Sequence, residues 1–309
     1  YEWEGIYMEE CVNLFRIKVN DKWGYINKFG KIIIPPVFQY AWDFNEDLAS
    51  VQMDNKWGYI NTKGDKVIDY IYDEAWNFCE GFASIRMNDR WGIIDRQGNV
   101  IVQPIFRFID EFSNGLALVM KGKKYGFMDE KGSCVIEPIY ENAFGFSEGI
   151  ARVNEGDYWE YIDTEGKVVL KCDFDCVFDF HENMAQVMWN FKYGFMDKLG
   201  HLLIEPKYDI ADGFSEGLAN VKIGTKWGYI DKEDKVVIKP NFDDALNFKE
   251  ERAFVKVGEN WGCIDKSGNF IVKPEFEHIN NFSKGLAMVI CNDKYIYINR
   301  KGERVWEEE

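Results

Sequence analysis

Lys56-Trp57-Gly58-Tyr59-Ile60-Asn61 returns as Lys226-Trp227-Gly228-Tyr229-Ile230-Asp231, and the spacing between the two copies is a whole number of 34-residue steps. Stepping by 34 from Trp23 lands on Trp57, Trp91, Tyr125, Trp159, Tyr193, Trp227, Trp261 and Tyr295, so an aromatic anchor recurs nine times without a slip. A strict period of this length means one supersecondary unit copied along the chain, and it fixes the architecture before any single residue is interpreted.

Outward from the anchor, each unit supplies its own punctuation. Upstream stand Ala49, Ala83, Ala117, Ala151, Ala185, Ala219, Ala253 and Ala287, each followed two residues on by Val or Ile. This is the two-residue period of a strand with one buried face. The anchor opens a second strand that ends in Asn or Asp in all nine units, from Asn27 to Asn299, with Gly three residues later in eight and Asp234 in the other. That is turn chemistry: the carboxamide or carboxylate opens the turn and Gly takes the left-handed residue. A third strand carries pairs such as Ile33-Ile34, Val67-Ile68 and Ile101-Val102. Adjacent apolar residues face opposite ways, which predicts a strand covered on both sides. Proline then stops pairing at 36, 104, 138, 206, 240 and 274. A compact connection with room for a helical turn follows, and it ends in an unvarying Phe at 44, 78, 112, 146, 180, 214, 248 and 282.

With Lys226-Trp227-Gly228-Tyr229-Ile230-Asp231, the Pro-x-aromatic step and Phe214-Ser215-Glu216-Gly217-Leu218-Ala219 in hand, the chain resembles the WG-repeat (KWG) proteins of bacteria over about residues 14 to 306. The resemblance implies a β-rich repeat region and brings no catalytic residues with it. The expected fold is all-β: an N-terminal extension over 1–13, then a single array of about nine three-stranded units over 14–309. An open superhelical array is favoured over a closed propeller-like ring, because propellers typically have four to eight blades of four strands and periods of about 40 to 50 residues.

Composition bounds the function. With 46% hydrophobic and 17% aromatic residues the chain can build a core. Its 53 acidic against 37 basic side chains give a net charge of −16, which repels nucleic acid and anionic lipid. No apolar run reaches the roughly 18 residues that a membrane helix needs, so no membrane insertion is expected. The odd count of seven cysteines, with only Cys172 and Cys176 close together, is not a disulfide framework and favours a reducing, cytoplasmic setting.

Recognisable catalytic patterns are missing. His181, His201 and His278 fall at three phases of the repeat, and no Ser-His-Asp order, HExxH or phosphate-cradling Gly motif occurs. The row of turn Asn and Asp residues is read as turn chemistry rather than a Ca²⁺ site, which needs six or more convergent oxygens. No cofactor or metal is expected. One unit departs from the pattern: Glu160 follows the anchor in place of Gly, Cys172 replaces Pro and Asn183 replaces Gly. Cys172, Cys176 and His181 lack zinc spacing and a fourth ligand, so the departures read as drift, with a local contact surface as the alternative.

The expected role is a non-catalytic scaffold for protein–protein interaction. The alternatives are a carbohydrate or cell-envelope module using exposed aromatics, and a spacer in a longer protein. The candidate contact position lies two residues before each unvarying Phe: Trp42, Trp76, Asp110, Phe144, Phe178, Asp212, Leu246 and Asn280. A position that accepts Asp is not uniformly core, so Trp42 with Trp76, and Phe144 with Phe178, are the candidate partner-binding pairs.

Overall fold

The computed structural model describes residues 13–156 and 158–308, and the expected extension over 1–13 lies outside them apart from Asn13. The described residues form thirty-five strands and no helix. The strands group into nine sheets, each contiguous in sequence. The second sheet shows the plan: Tyr40–Ala41, Leu48–Met53, Lys56–Asn61 and Lys66–Tyr72, antiparallel and paired in chain order. The unit therefore has four strands, not three. The connection expected to hold a helical turn carries the extra strand instead, two residues long in most units and extended to Phe108–Ser113 and Cys176–His181 in two. In the first sheet its counterpart would fall at residues 6 and 7, outside the described residues.

Local chemistry sets the strand ends. Asp54 and Asn55 both have positive φ in the two-residue turn joining Leu48–Met53 to Lys56–Asn61, the turn that matches the twist of paired strands. Asn61 Oδ1 accepts the N–H groups of Lys63 and Asp65 at 3.0 and 2.9 Å. The same two bonds recur at Asn27, Asp95, Asp129, Asp163, Asp197, Asp231, Asp265 and Asn299.

Two expectations about burial are corrected. The Ala-x-Val strand is buried on both faces, since Ser50 and Asn220, the residues between Ala and Val, are fully enclosed. The third strand of the sequence reading is the sheet's edge, and Val67 is 43% exposed. The apolar pairs there arise because only Ile68 faces the core, where it seats the turn glycine of the next sheet, Gly98. The edge strand also explains Trp-Gly. It bulges at its proline, as the register between Trp227↔Phe242 and Tyr229↔Ile238 shows, and lies over the glycine. A Cβ on Gly228 would stand 2.6 Å from Ile238 O and 2.8 Å from Pro240 N.

The nine sheets close into a ring, so the open array is overturned. The turn at Gly30 in the first sheet packs on Val305 of the last, as Gly64 packs on Ile34 and Gly98 on Ile68. Tyr297 Oη donates to Arg16 O at 2.7 Å and Lys284 Nζ to Phe44 O at 2.8 Å. Phe15, Ile17 and Ile26 share one apolar cluster with Leu286 and Tyr297. A 34-residue unit suffices for a four-stranded blade because a single residue, such as Asp73, separates one blade's edge strand from the next blade's first. Neighbouring blades are latched by the segment after the unvarying Phe. Ser113, Ser147 and Ser215 hydroxyls donate to the carbonyls of Phe146, Phe180 and Phe248 in the next blade, at 2.6 to 2.7 Å. The following Glu accepts a backbone N–H one blade on, as Glu182 does from Gly217 at 3.0 Å, and Lys232 bonds it at 3.0 Å.

Candidate functional site

In the eight blades whose four strands are described, the first strand lies nearest the ring axis. One cavity of about 260 Å³ is lined together by Asp43, Asn77, Asn280 and Asn281, which belong to the second, third and ninth blades. Only the axial edge brings such distant blades together.

The candidate positions sit on this axial edge. Trp42 is 48% exposed and Trp76 38%, and both line a second cavity of about 430 Å³ with Trp57, Glu74, Asn77 and Glu111. Trp76 also packs edge-on against Trp91, the anchor of its own blade, with centroids 5.7 Å apart. Phe144 and Phe178 are arranged differently. The Arg152 guanidinium lies between them, 3.5 Å from the Phe144 centroid and 5.4 Å from that of Phe178. Asp212 is half-buried and accepts from Asn220 Nδ2 at 2.6 Å, and burial raises its carboxyl above the usual range. The anchors Trp23, Trp57, Trp91, Tyr125, Tyr193, Trp227 and Trp261 each pair with the aromatic after the bulge, Phe38, Tyr72, Phe106, Tyr140, Tyr208, Phe242 and Phe276. Trp159 pairs with Cys172, and Tyr295 O accepts from Glu308 N.

Residues that the sequence reading passed over hold the axial edge in place. They are the polar residues at the x position of Ala-x-Val or Ala-x-Ile, Ser84, Arg152, Gln186 and Asn220, with Arg16 at the equivalent place between Phe15 and Ile17; Ser50 stands at the same position with no partner for its hydroxyl among the described residues. Arg16, Arg152, Gln186 and Asn220 donate to a carbonyl of the next blade's short strand, at Ala41, Val177, Ala211 and Ala245. Arg152 Nε also meets Asp179 Oδ1 at 2.8 Å, and Arg16 Nε meets Asp43 Oδ1 at 3.3 Å. The available signal was a polar residue recurring inside an otherwise apolar strand.

Among the described residues no three His, Cys, Asp or Glu side chains come together in a way that would hold a metal ion. Cys172 is buried and burial pushes its thiol up to about 12. His201 Nδ1 lies 3.1 Å from Asp197 Oδ2 at an exposed turn.

Nine contiguous blades closed about an axis, eight of them four-stranded and the first three-stranded among the described residues, define a β-propeller. A family profile described as WG containing repeat matches residues 23–57, 57–91, 91–125, 125–159, 161–190, 193–227, 227–261 and 261–295, and the chain belongs to that family. No curated protein is similar to it in sequence. Among solved structures it resembles a eukaryotic initiation factor, with a TM-score of 0.71 and 11% identity over 96% of each chain. It also resembles the dihydro-heme d1 dehydrogenase NirN in complex with DHE, with a TM-score of 0.50 and 10% identity over 100% of this chain and 75% of that one. At such identities the likeness is one of fold.

Proposed function

We propose that this protein is a non-catalytic scaffold, a rigid ring that binds a protein partner on its axial edge. The observation that carries this reading is the pair Trp42 and Trp76, equivalent residues of successive blades that stay substantially exposed beside one cavity. Large aromatics left in solvent at one place mark interaction sites more often than scattered ones do. The frame around them is stiff, with every blade latched to the next, so a partner meets a preformed surface and loses little to ordering it. The charge of −16 favours a basic protein over nucleic acid. Phe144 and Phe178 have a smaller part, because Arg152 already occupies the space between them.

The test is capture from the native organism with wild type and with the W42A/W76A double variant. Both should melt alike, and proteins held by wild type should be lost from the variant. An unchanged set of captured proteins would refute the assignment of this edge.

A further inference from the structure

The repeat provides its own control for the cavity at Trp42 and Trp76. Three units downstream, Arg152 has four partners: the rings of Phe144 and Phe178, the carbonyl of Val177 at 2.7 Å and the carboxylate of Asp179 at 2.8 Å. Their equivalents are Trp42, Trp76, Ala75 and Asn77, and all four line the 430 Å³ cavity. Arg16 has the same kinds of partner in the first blade, where it meets Trp42, Ala41 O and Asp43. Where Arg152 stands downstream, this unit has Ser50. Its side chain is too short to enter the cavity, and it is fully buried with an unpartnered Oγ. Asn77 Oδ1, the counterpart of the Asp179 oxygen, is also buried with no donor. The walls thus keep two indole rings, with Ala75 and Asn77 at the positions whose counterparts hold a guanidinium elsewhere in the same ring; Asn77 Oδ1 lies just beneath the surface, as does the unpartnered oxygen of the equivalent Asn247.

We infer that this cavity receives the guanidinium of an arginine side chain presented by a partner polypeptide; the inference rests on the scaffold reading and names the chemistry of its site. A cation over indole faces is attracted by the ring quadrupole, and Trp is the best of the aromatic partners. Guanidinium fits better than ammonium because a planar fork reaches a carbonyl and a side-chain acceptor at once while stacking. Charge complementarity agrees. Glu111 lines the cavity, and its carboxylate takes no hydrogen bond from any described residue. Partial burial and the neighbouring Asp110 raise that carboxyl, the sign expected of an acid that lacks a cation. Glu74 on the same wall is shared with Arg86 and contributes less.

The experiment titrates the full chain with an acetyl-Gly-Gly-Arg-Gly-Gly amide peptide, followed by tryptophan fluorescence and calorimetry, beside the same peptide carrying citrulline or lysine. Arginine should bind at least about tenfold more tightly than citrulline, which keeps the shape and drops the charge, and more tightly than lysine. N77D, which restores the carboxylate present at Asp179, should tighten binding several-fold. S50R should fill the cavity from within and abolish binding; its melt shows whether it folds, and N77D decides the matter if it does not. Equal binding of arginine and citrulline peptides, an unaffected N77D, or a lysine peptide that binds as well as arginine would overturn the inference. Free arginine amide binding as tightly as the peptide would overturn the commitment to a polypeptide. No peptide binding, with the captured partner still lost in W42A/W76A, defeats the guanidinium assignment and spares the scaffold. Peptide binding with the partner retained does the reverse.

Discussion

Glu160 and Lys171 face each other in direct register across two strands of the fifth blade, with an ion pair of 2.7 Å, where seven of the other blades set glycine beneath a bulged edge strand. Glycine after the anchor and the bulge opposite it go together. Here the edge strand runs from Leu170 to Cys172 without that bulge, Trp159 pairs with Cys172 rather than Phe174, and nothing lies over position 160 to forbid a side chain. Proline does not by itself make the bulge, because the second blade has Tyr70 in its place and still bulges over Gly58. Phe174, released from the ladder, packs edge-on against Trp189 with centroids 6.0 Å apart. Gly228→Ala, which drives a Cβ into backbone at 2.6 Å, should cost about 2–3 kcal/mol. Glu160→Ala should stay within about 1 kcal/mol, because the pair it loses is a single bridge to a Lys171 side chain that is 75% exposed, although Glu160 itself is 20% exposed. Denaturant titration of both variants checks the contrast, and equal costs would contradict it.

The unvarying Phe is the strongest packing demand of the unit. Phe112, Phe146 and Phe214 are all buried, and Phe146 and Phe214 meet Phe127 and Phe195 edge-on at 4.9 and 4.8 Å. Replacement of any of the three by Ala should cost about 3–5 kcal/mol, the loss of transfer energy plus the cavity left behind. Thermal melts of the single variants give the answer, and melts within error of wild type would show the rings to be dispensable.

Acid should loosen the ring. Burial works to raise the carboxyls of Glu148 and Glu182, but the bonds from Lys198 and Lys232 and from backbone N–H groups outweigh it and hold both low. At the turns Asp95 and Asp265 are lowered in the same way, burial again opposing and the Asn99 and Asn269 bonds prevailing. A folded pKa below the unfolded one contributes stability that is present above the unfolded value, about 3.9–4.3, and is lost as pH falls through the folded value. Asp212 and Glu111 are raised, mainly by burial, so they act in the opposite sense and are the minority. Melting temperature should change little between pH 7 and 5 and fall steeply below about pH 4. Glu182→Gln should be less stable at pH 7 and lose less on acidification; a wild-type melt independent of pH down to 3 would contradict the latch.

The period, the hairpin, the turn residues and the buried Phe were legible because each is a demand repeated in every unit. The fourth strand was not, because at two residues, as in Tyr40–Ala41, it is too short to show alternation. Ring closure was not legible because it depends on the rotation accumulated over nine blades and on Tyr297, Lys284 and Val305 meeting partners near the other end of the chain. At the axial edge Trp42 and Trp76 could be singled out by a position that tolerates both Trp and Asp. The contrast between Arg152 and Ser50 stayed hidden, because the x of Ala-x-Val reads as an outward residue until the blades on either side are in place.

Closure is the claim on which the axial edge depends, and small-angle X-ray scattering of the full chain tests it most directly. A closed ring of this length should have a radius of gyration near the compact value of about 20 Å. Nine sheets stacked openly at about 10 Å spacing form a rod some 90 Å long, with a radius of gyration near 28 Å. A measured value of about 20–22 Å, unchanged on dilution, agrees with the ring; a value near 28 Å would contradict it and remove the axial edge altogether.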